Sequence, residues 1–376
     1  MILSFDAKRF FHNNRGLGNY SRDVIRLLAT YYPENKYFLL NPKPVKGVAY
    51  LIPDQAREIL PNSFFYKRFP GLWRTKGSLS TIQKIGTTIY HGLNQELPQG
   101  IHRTKIKSVV TIHDAIFIRY PELYDPFYRK IFIAKNKYSC KVADRIIAIS
   151  QQTKSDAIEF FNADPSKIEV VYQGCNRIFR EKITNEKMDE VKHKYNLPSH
   201  YLLNVGAIEK RKNIELAIKA LVVGKIQIPL IIIGNKTKYE NTLQELINQF
   251  NLQNQVIFLH HVPTEDLPAI YKSADIFLYP SIFEGFGIPI LEALSVGTPV
   301  ITSNGSCFPE TGGDAAMYVH HNSPEELAEA INNISSSDKL KEEMRQKGFM
   351  HIKKFDDEEI ARNLMRVYTD ILQETY

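Results

Sequence analysis

The sequence predicts an α/β fold made of two successive doubly wound domains facing a cleft, and three observations carry that expectation. Short apolar runs rich in Val and Ile alternate with helical stretches almost throughout, the pattern of βαβ units and parallel sheets. The pattern restarts near the middle of the chain, so two Rossmann-like sets follow one another. The chain has 376 residues, and a prior of about 150 per domain gives two or three domains.

The elements follow in order. Met1 to Asp6 reads as a first strand rather than a signal peptide, because its apolar run meets a carboxylate at once. The segment from Arg15 to Tyr20 then opens a helix. Ser108 to Ile112 is a strand ending at His113-Asp114, and Arg145 to Ser150 is another, followed by a helix from Gln151 to Asn162. Ile168 to Tyr172 is a third, ending at Gln173-Gly174. The polar stretch from Arg180 to His200 reads as a linker. Strands resume at 201–205, 229–233, 255–259, 276–279 and 299–302, with helices between them such as Glu240 to Phe250 and Pro289 to Ser295. A last helix, Asp357 to Gln373, opens on Asp356-Asp357-Glu358-Glu359, where carboxylates suit the positive end of a helix dipole. The expected domains are 1–180, to which the crossover helix of about 355–376 returns, and 181–354.

Composition sets limits on function. The chain is 43% hydrophobic and 24% charged, ordinary for a soluble globular protein, and no apolar run approaches the roughly 20 residues of a membrane span. Cys140, Cys175 and Cys307 have neither disulfide nor zinc spacing, which points to a cytoplasmic protein. Residues 1–180 carry 28 Lys and Arg against 14 Asp and Glu, whereas residues 181–376 carry 20 against 27. The basic half suits phosphate, membrane or nucleic acid, or is no more than a solubilising surface. Within it, Phe64 to Lys76 mixes aromatics with cations and holds the only Trp. That mixture fits peripheral contact with an anionic membrane, a packed loop, or a nucleic-acid surface.

Ligands of open α/β sheets bind beyond the carboxyl ends of strands, so post-strand residues carry the chemistry. The segment after the 276–279 strand contains Glu284, Gly285, Phe286, Gly287, Ile288 and Glu292. Its glycines admit a ligand close to the backbone, and free N–H groups at the following helix suit a diphosphate or sugar hydroxyls. Gly206 leads into Lys210-Arg211-Lys212, whose cations can offset the charge of a departing diphosphate. Gly16, Gly18, Asn19 and Tyr20 form a candidate loop for an acceptor or phosphate, although Ser21 stands where a dinucleotide fingerprint has a third glycine or alanine. His113 and Asp114 sit at a strand end, and Val262, a further candidate ligand contact, follows the 255–259 strand. No metal site is expected, because His260 and His261 are adjacent and point to opposite faces of an extended strand.

Together these motifs resemble the retaining glycosyltransferases of family 4. FEGFGIPILEAL followed by GTPVITS is similar to the family's Glu-x7-Glu segment, and VGAIEKRKNIELAIKAL to its diphosphate segment. RGLGNYSRDVIRLL, TIHDAIFIRYPELY, ADRIIAISQQTKSD and FPETGGDAAMYV agree in order, so the resemblance runs nearly end to end. It implies a GT-B fold, with Arg211 and Lys212 on the diphosphate, Glu284 on the donor sugar, Glu292 on the ribose and His113 near the reacting centre. Many relatives carry Arg directly after the glycine where this chain has Ala207, and Arg211 substitutes for it in this reading. The resemblance further implies metal-independent retaining transfer, with no cofactor and a nucleotide sugar as substrate. GDP-mannose is the expected donor, and a saccharide or lipid-linked saccharide of a surface glycan the expected acceptor. No nucleic acid is expected as a partner. The alternatives are a same-fold sugar-nucleotide epimerase or phosphorylase, a nicotinamide-dependent oxidoreductase, and a non-catalytic basic membrane- or nucleic-acid-binding protein. The incomplete glycine fingerprint counts against the oxidoreductase.

Overall fold

The computed structural model describes residues 1–13, 15–45, 47 and 51–374. These residues form two wholly parallel sheets, one of seven strands and one of six. The first comprises β1 Ile2–Asp6, β2 Lys36–Leu40, β3 Ala56–Ile59, β4 Ile89–Gly92, β5 Lys107–Ile112, β6 Arg145–Ala148 and β7 Ile168–Val170, in the order β3-β2-β1-β4-β5-β6-β7. The second comprises β8 Leu202–Val205, β9 Leu230–Ile233, β10 Val256–Leu259, β11 Ile276–Tyr279, β12 Val300–Ser303 and β13 Ala316–Val319, in the order β10-β9-β8-β11-β12-β13. Central strands such as β9 and β11 are buried along their whole length, which is why they read as unbroken apolar runs rather than alternating ones. Each sheet has its own core: Val110, Ile112, Ile146 and Ile168 in the first, Leu202, Leu230, Ile276 and Ile301 in the second.

The chain divides into two compact units, Met1–Gln173 with Asp356–Tyr376, and Gly174–Phe355. The first boundary therefore falls seven residues before the expected cut at 180, and the return falls one residue after 354. The physical reason is side-chain packing that local polarity does not reveal. Cys175 Sγ lies 3.4 Å from Ser295 Oγ, Phe179 meets Tyr271 edge-on, and Arg180 donates to the Phe355 carbonyl. The stretch from Arg180 to His200 is not a linker: it holds a helix, Asn185–Lys194, whose N-cap Thr184 accepts from the Lys187 amide. Its polar residues converge on the buried Asp266, with Lys187 at 3.0 Å, Lys194 at 2.7 Å and the Tyr195 hydroxyl at 2.8 Å.

The terminal helix Asp357–Gln373 belongs to the first unit, where it packs on the helix Gly16–Tyr31. Asp357 pairs with Arg26 at 2.8 Å, and the Tyr368 hydroxyl lies 2.7 Å from His91 Nδ1. Thr375 and Tyr376 of the expected crossover segment lie outside the described residues. This return changes the charge division. The first unit carries 28 Lys and Arg against 20 Asp and Glu, and the second 20 against 21. The second unit is thus nearly neutral, not acidic.

The aromatic-cationic segment splits in two. Trp73 is only 2% exposed, and Arg74 pairs with Asp6 at 2.5 Å and Glu96 at 2.8 Å, so both belong to the interior. Phe64, Phe65, Phe69 and Leu72 are exposed, Phe64 by 87%, alongside exposed Lys67, Arg68 and Lys76. No helix among the described residues is long and apolar enough to cross a membrane.

Candidate active site

In a doubly wound sheet the strand order reverses at one point, and the loops there part to leave a crevice. In the second unit this point lies between β8 and β11. The loop after β8 supplies Gly206, Arg211 and Lys212, and the loop after β11 supplies Glu284. Gly206 has φ +155, and a Cβ on Gly234 would lie 2.1 Å from the Gly206 carbonyl oxygen. The two glycines let neighbouring strand ends approach more closely than any side chain permits.

Residues 67 or more apart in sequence then meet. Glu284 Oε1 lies 2.7 Å from Arg211 Nη1 and 2.6 Å from Lys212 Nζ. Arg211 also donates to the Phe283 carbonyl at 2.6 Å and pairs with Glu209, while Lys212 donates to the Tyr279 hydroxyl at 2.8 Å. The Glu284 carbonyl accepts from Ser306 Oγ and Cys307 Sγ. Burial alone would raise the Glu284 pKa, but Lys212 and Arg211 outweigh it and hold the carboxyl at about 2. Glu284 is therefore a fixed anion and Arg211 a fixed cation.

Glu292 lies on the helix Ile288–Val296, with Oε2 accepting from the Tyr271 hydroxyl at 2.9 Å. Burial pushes its pKa to about 7, against the opposing effects of Tyr271 and the Lys212 charge. Glu292 thus shares the field of Lys212 but holds its proton far longer than Glu284. Gly287, at φ +96, caps that helix, which starts at Ile288, one residue before the expected Pro289. The Phe286 ring is buried against Phe355 and the Phe286 carbonyl accepts from Thr311, so what this residue offers a ligand is its backbone N–H. Gly285 and Ile288 remain partly open beside it, and Val262 is half-buried three residues beyond β10.

The first unit has its own reversal point, between β1 and β4. There a cavity of about 520 Å³ opens, with Lys8, Arg9, Asn94, Glu96, His113 and Asn136 among its lining residues. His113 Nε2 donates to the Leu93 carbonyl at 2.8 Å, which leaves the lone pair on Nδ1. Burial lowers its pKa to about 4 against the opposing carbonyl bond, with Arg9 adding to the lowering, so the imidazole is neutral at pH 7. Asp114 also lines the cavity, and its Oδ1 accepts from the Ile116 amide, fixing the short helix Ile116–Arg119.

The Gly16–Tyr20 segment, expected as a loop for an acceptor or phosphate, opens the helix Gly16–Tyr31. The amides of Gly18 and Asn19 already bond to the Arg15 carbonyl as the first turn of the helix Gly16–Tyr31. A Cβ on Gly18 would lie 1.7 Å from the Asn13 carbonyl oxygen, so this glycine serves close packing. Asn19 Oδ1 accepts from Arg22, and Gly16 lies in open space. Tyr20 is buried, with its hydroxyl 3.1 Å from Thr111 Oγ1 and its ring edge-on to His113 at 4.7 Å. Sequence reasoning missed Lys8, Arg9, Asn94, Asn136, Tyr271 and Tyr279. Lys8 and Arg9 follow the first strand directly, the signal that could have found them. Asn94 follows β4, which no sequence pattern revealed.

Two doubly wound parallel units of this kind make the GT-B architecture of glycosyltransferases. Residues 185–351 match the model of glycosyl transferases group 1, and residues 20–177 that of Glycosyltransferase Family 4. The chain belongs to these family 4, group 1 glycosyltransferases and is a glycosyltransferase. It is 32% identical over 286 residues to the O-antigen chain mannosyltransferase B of Escherichia coli, covering 74% of each chain. It is 34% identical over 226 residues to the O-antigen chain mannosyltransferase RfbU of Salmonella typhimurium, covering 60% of each. Among solved structures it resembles a glycosyltransferase from Rickettsia africae, with a TM-score of 0.76 and 20% identity over 99% of this chain and 98% of that one. It is also similar to Anabaena HepE in complex with UDP, with a TM-score of 0.76 and 18% identity over 98% of this chain and 99% of that one.

Proposed function

We propose that the protein is a retaining, metal-independent mannosyltransferase that uses GDP-mannose to extend a saccharide or lipid-linked saccharide in surface glycan biosynthesis. The observation that carries this reading is the buried cluster of Arg211, Lys212 and Glu284 at the reversal point of the second sheet. Its two cations suit a diphosphate, and its carboxylate suits sugar hydroxyls once the ligand shares those cations. Glu292, on the adjoining helix, takes the ribose hydroxyls in this reading, and Val262 lies near the base. Fixed cations offset the charge of the departing diphosphate, so the reaction needs no metal ion or cofactor. The leaving phosphate then takes the acceptor proton on the face it vacates. His113, neutral and fixed by Leu93, serves near the reacting centre. The mannosyl and glycan assignments draw on the O-antigen mannosyltransferases named above. The exposed aromatics and cations between Phe64 and Lys76 support peripheral contact with the cytoplasmic face of an anionic membrane.

A thermal-shift panel of GDP-, UDP-, ADP- and dTDP-linked sugars tests the donor, since ligand at 100 times its dissociation constant adds about 2.7 kcal/mol. GDP-mannose should give the largest shift. Product NMR should show a retained anomer in the presence of a chelator. An inverted product, or activity lost to the chelator, would overturn the mechanism.

A further inference from the structure

The first unit has a second cavity, of about 470 Å³, which shares no lining residue with the one at its reversal point. It is bounded by Lys76, Gln99, Gly100, His102, Arg103 and Tyr138. Among the described residues no carboxylate lines it, and Lys76, His102 and Arg103 have no ion-pair partner. All three are exposed. The walls are tied to one another. The Gln99 amide donates to the Thr75 carbonyl at 2.7 Å, and the Gly100 amide to the Tyr138 hydroxyl at 2.8 Å. The Tyr138 hydroxyl donates in turn to the Pro98 carbonyl at 3.2 Å. These bonds join the turn Trp73–Gly77, the loop before β5 and the helix Pro126–Val142. The aromatic helix Phe64–Arg68 packs on the same turn. A Cβ on Gly77 would lie 2.5 Å from Tyr66 Cζ, so this helix sits directly beside Lys76. Phe64 and Phe65 on the helix and Phe69 at its C-cap are each at least half exposed. Exposed rings next to a basic recess suit a boundary between acyl chains and phosphates.

We infer that this cavity seats the phosphate of an anionic phospholipid headgroup, with Lys76 and Arg103 on its oxygens, His102 donating a further hydrogen bond, and Phe64, Phe65 and Phe69 in the interface beside it. The inference rests on the membrane contact proposed above and narrows it from a diffuse attraction to a headgroup site. A guanidinium meets phosphate oxygens with two parallel hydrogen bonds, and an ammonium adds a point charge. A choline headgroup would bring its own cation against Lys76 and Arg103, so the site discriminates against zwitterionic lipid. Lys141 is exposed near the end of the helix that carries Tyr138 but does not line the cavity. It therefore measures what a basic residue of this surface contributes through the general field alone.

The test is co-sedimentation of the full chain with phosphatidylcholine vesicles made anionic in two ways, with phosphatidylglycerol or with oleate, at matched zeta potential. Phosphatidylglycerol vesicles should bind several-fold more tightly, because oleate supplies the charge without an open phosphate. Arg103→Gln should weaken phosphatidylglycerol binding roughly 10-fold, against roughly 5-fold or less for Lys141→Gln, which acts only through the surface field. In the Lys76→Gln, Arg103→Gln double variant the preference for phosphatidylglycerol over oleate should vanish. These side chains are exposed, and an unchanged melting temperature reports an intact fold. Equal wild-type binding to both vesicles, or equal losses in Arg103→Gln and Lys141→Gln, would overturn the headgroup site and leave the membrane contact standing. A wild-type chain that ignores both vesicles overturns site and contact together. Calorimetry with glycerol 3-phosphate and no vesicles separates the sources of phosphate. Negligible heat supports the lipid, whereas binding as tight as to vesicles, lost in the double variant, marks a soluble phosphate ester and overturns the lipid assignment.

Discussion

At the scale of single residues, the second unit sets two carboxyl groups eight positions apart in opposite protonation regimes. Glu284 has two cations on one oxygen and a pKa of about 2, while Glu292 has a tyrosine hydroxyl and burial, and a pKa of about 7. The linkage signs follow. The Glu284 contribution to stability is complete above the ordinary carboxyl range and is lost as pH falls from there toward 2. Glu292 works the other way: its folded form prefers the proton, so stability declines as pH rises from the ordinary range through 7. Glu292→Gln should therefore raise the melting temperature at pH 8 and leave it unchanged near pH 4, read by calorimetry across that range. An equal shift at both pH values would remove the burial argument. Lys212 serves both carboxylates and, in the proposed reaction, the leaving group. Lys212→Ala should lower kcat by roughly 100- to 1,000-fold, the usual cost of removing one charge-stabilising group. A kcat within a few-fold of wild type would take Lys212 out of the chemistry. Of these features the Glu-x7-Glu spacing and the basic triplet were legible in sequence. That two cations share a single oxygen was not, because the loops that bring them together follow strands β8 and β11, which pair only in the folded sheet.

At the scale of elements, the terminal helix is held to the first unit by a polar chain through its interior. The Tyr368 hydroxyl meets His91 Nδ1 at 2.7 Å, His91 Nε2 meets Thr111 Oγ1 at 2.8 Å, and Thr111 meets the Tyr20 hydroxyl at 3.1 Å. His91 is fully buried, which lowers its pKa to about 3 and keeps the ring neutral. Tyr368→Phe would strand one ring nitrogen without a partner, at a cost of about 1–3 kcal/mol. Denaturant unfolding should show that loss, while GDP affinity, which the proposed function assigns to the other unit, should stay constant. The helix itself was plain from its acidic first turn, with bounds at Asp357 and Gln373. Strands β2, β3, β4 and β13 were not, because their short mixed patterns carry little period-two signal and sheet pairing decides them. The helix Asn185–Lys194 was hidden for the opposite reason: its polar residues satisfy a buried partner, Asp266, that lies about 70 positions away.

At the scale of the whole molecule, returning the terminal helix to the first unit lowers that unit's excess of basic residues, yet a basic excess remains. The cations that count for an anionic surface are those beside exposed apolar side chains: Lys67, Arg68 and Lys76, near Phe64, Phe65 and Phe69. Each contributes about 1 kcal/mol near an anionic bilayer and less as salt shortens the Debye length. Vesicle co-sedimentation should rise with anionic lipid, fall with salt, and drop when the three are changed to Ser. Arg74 is the internal control for charge alone, since its guanidinium is spent on Asp6 and Glu96 and contributes little to the surface. Indifference of the wild-type chain to anionic vesicles at low salt would exclude the membrane contact.

The sequence by itself determined the alternation of strands and helices, the duplication of the doubly wound plan, and the residue types at the second unit's reversal point. These are local properties: hydrophobic period, turn chemistry, and the residues that directly follow a strand. Only the tertiary structure decided that the Tyr20 and Phe286 rings are buried, that Trp73 and Arg74 face inward, and that the first stretch of the first unit ends at Gln173. It also decided that Lys8, Arg9, Asn94 and Asn136 share one cavity. Strand order brings β1 beside β4 across more than 80 residues of chain, and no local pattern encodes that adjacency.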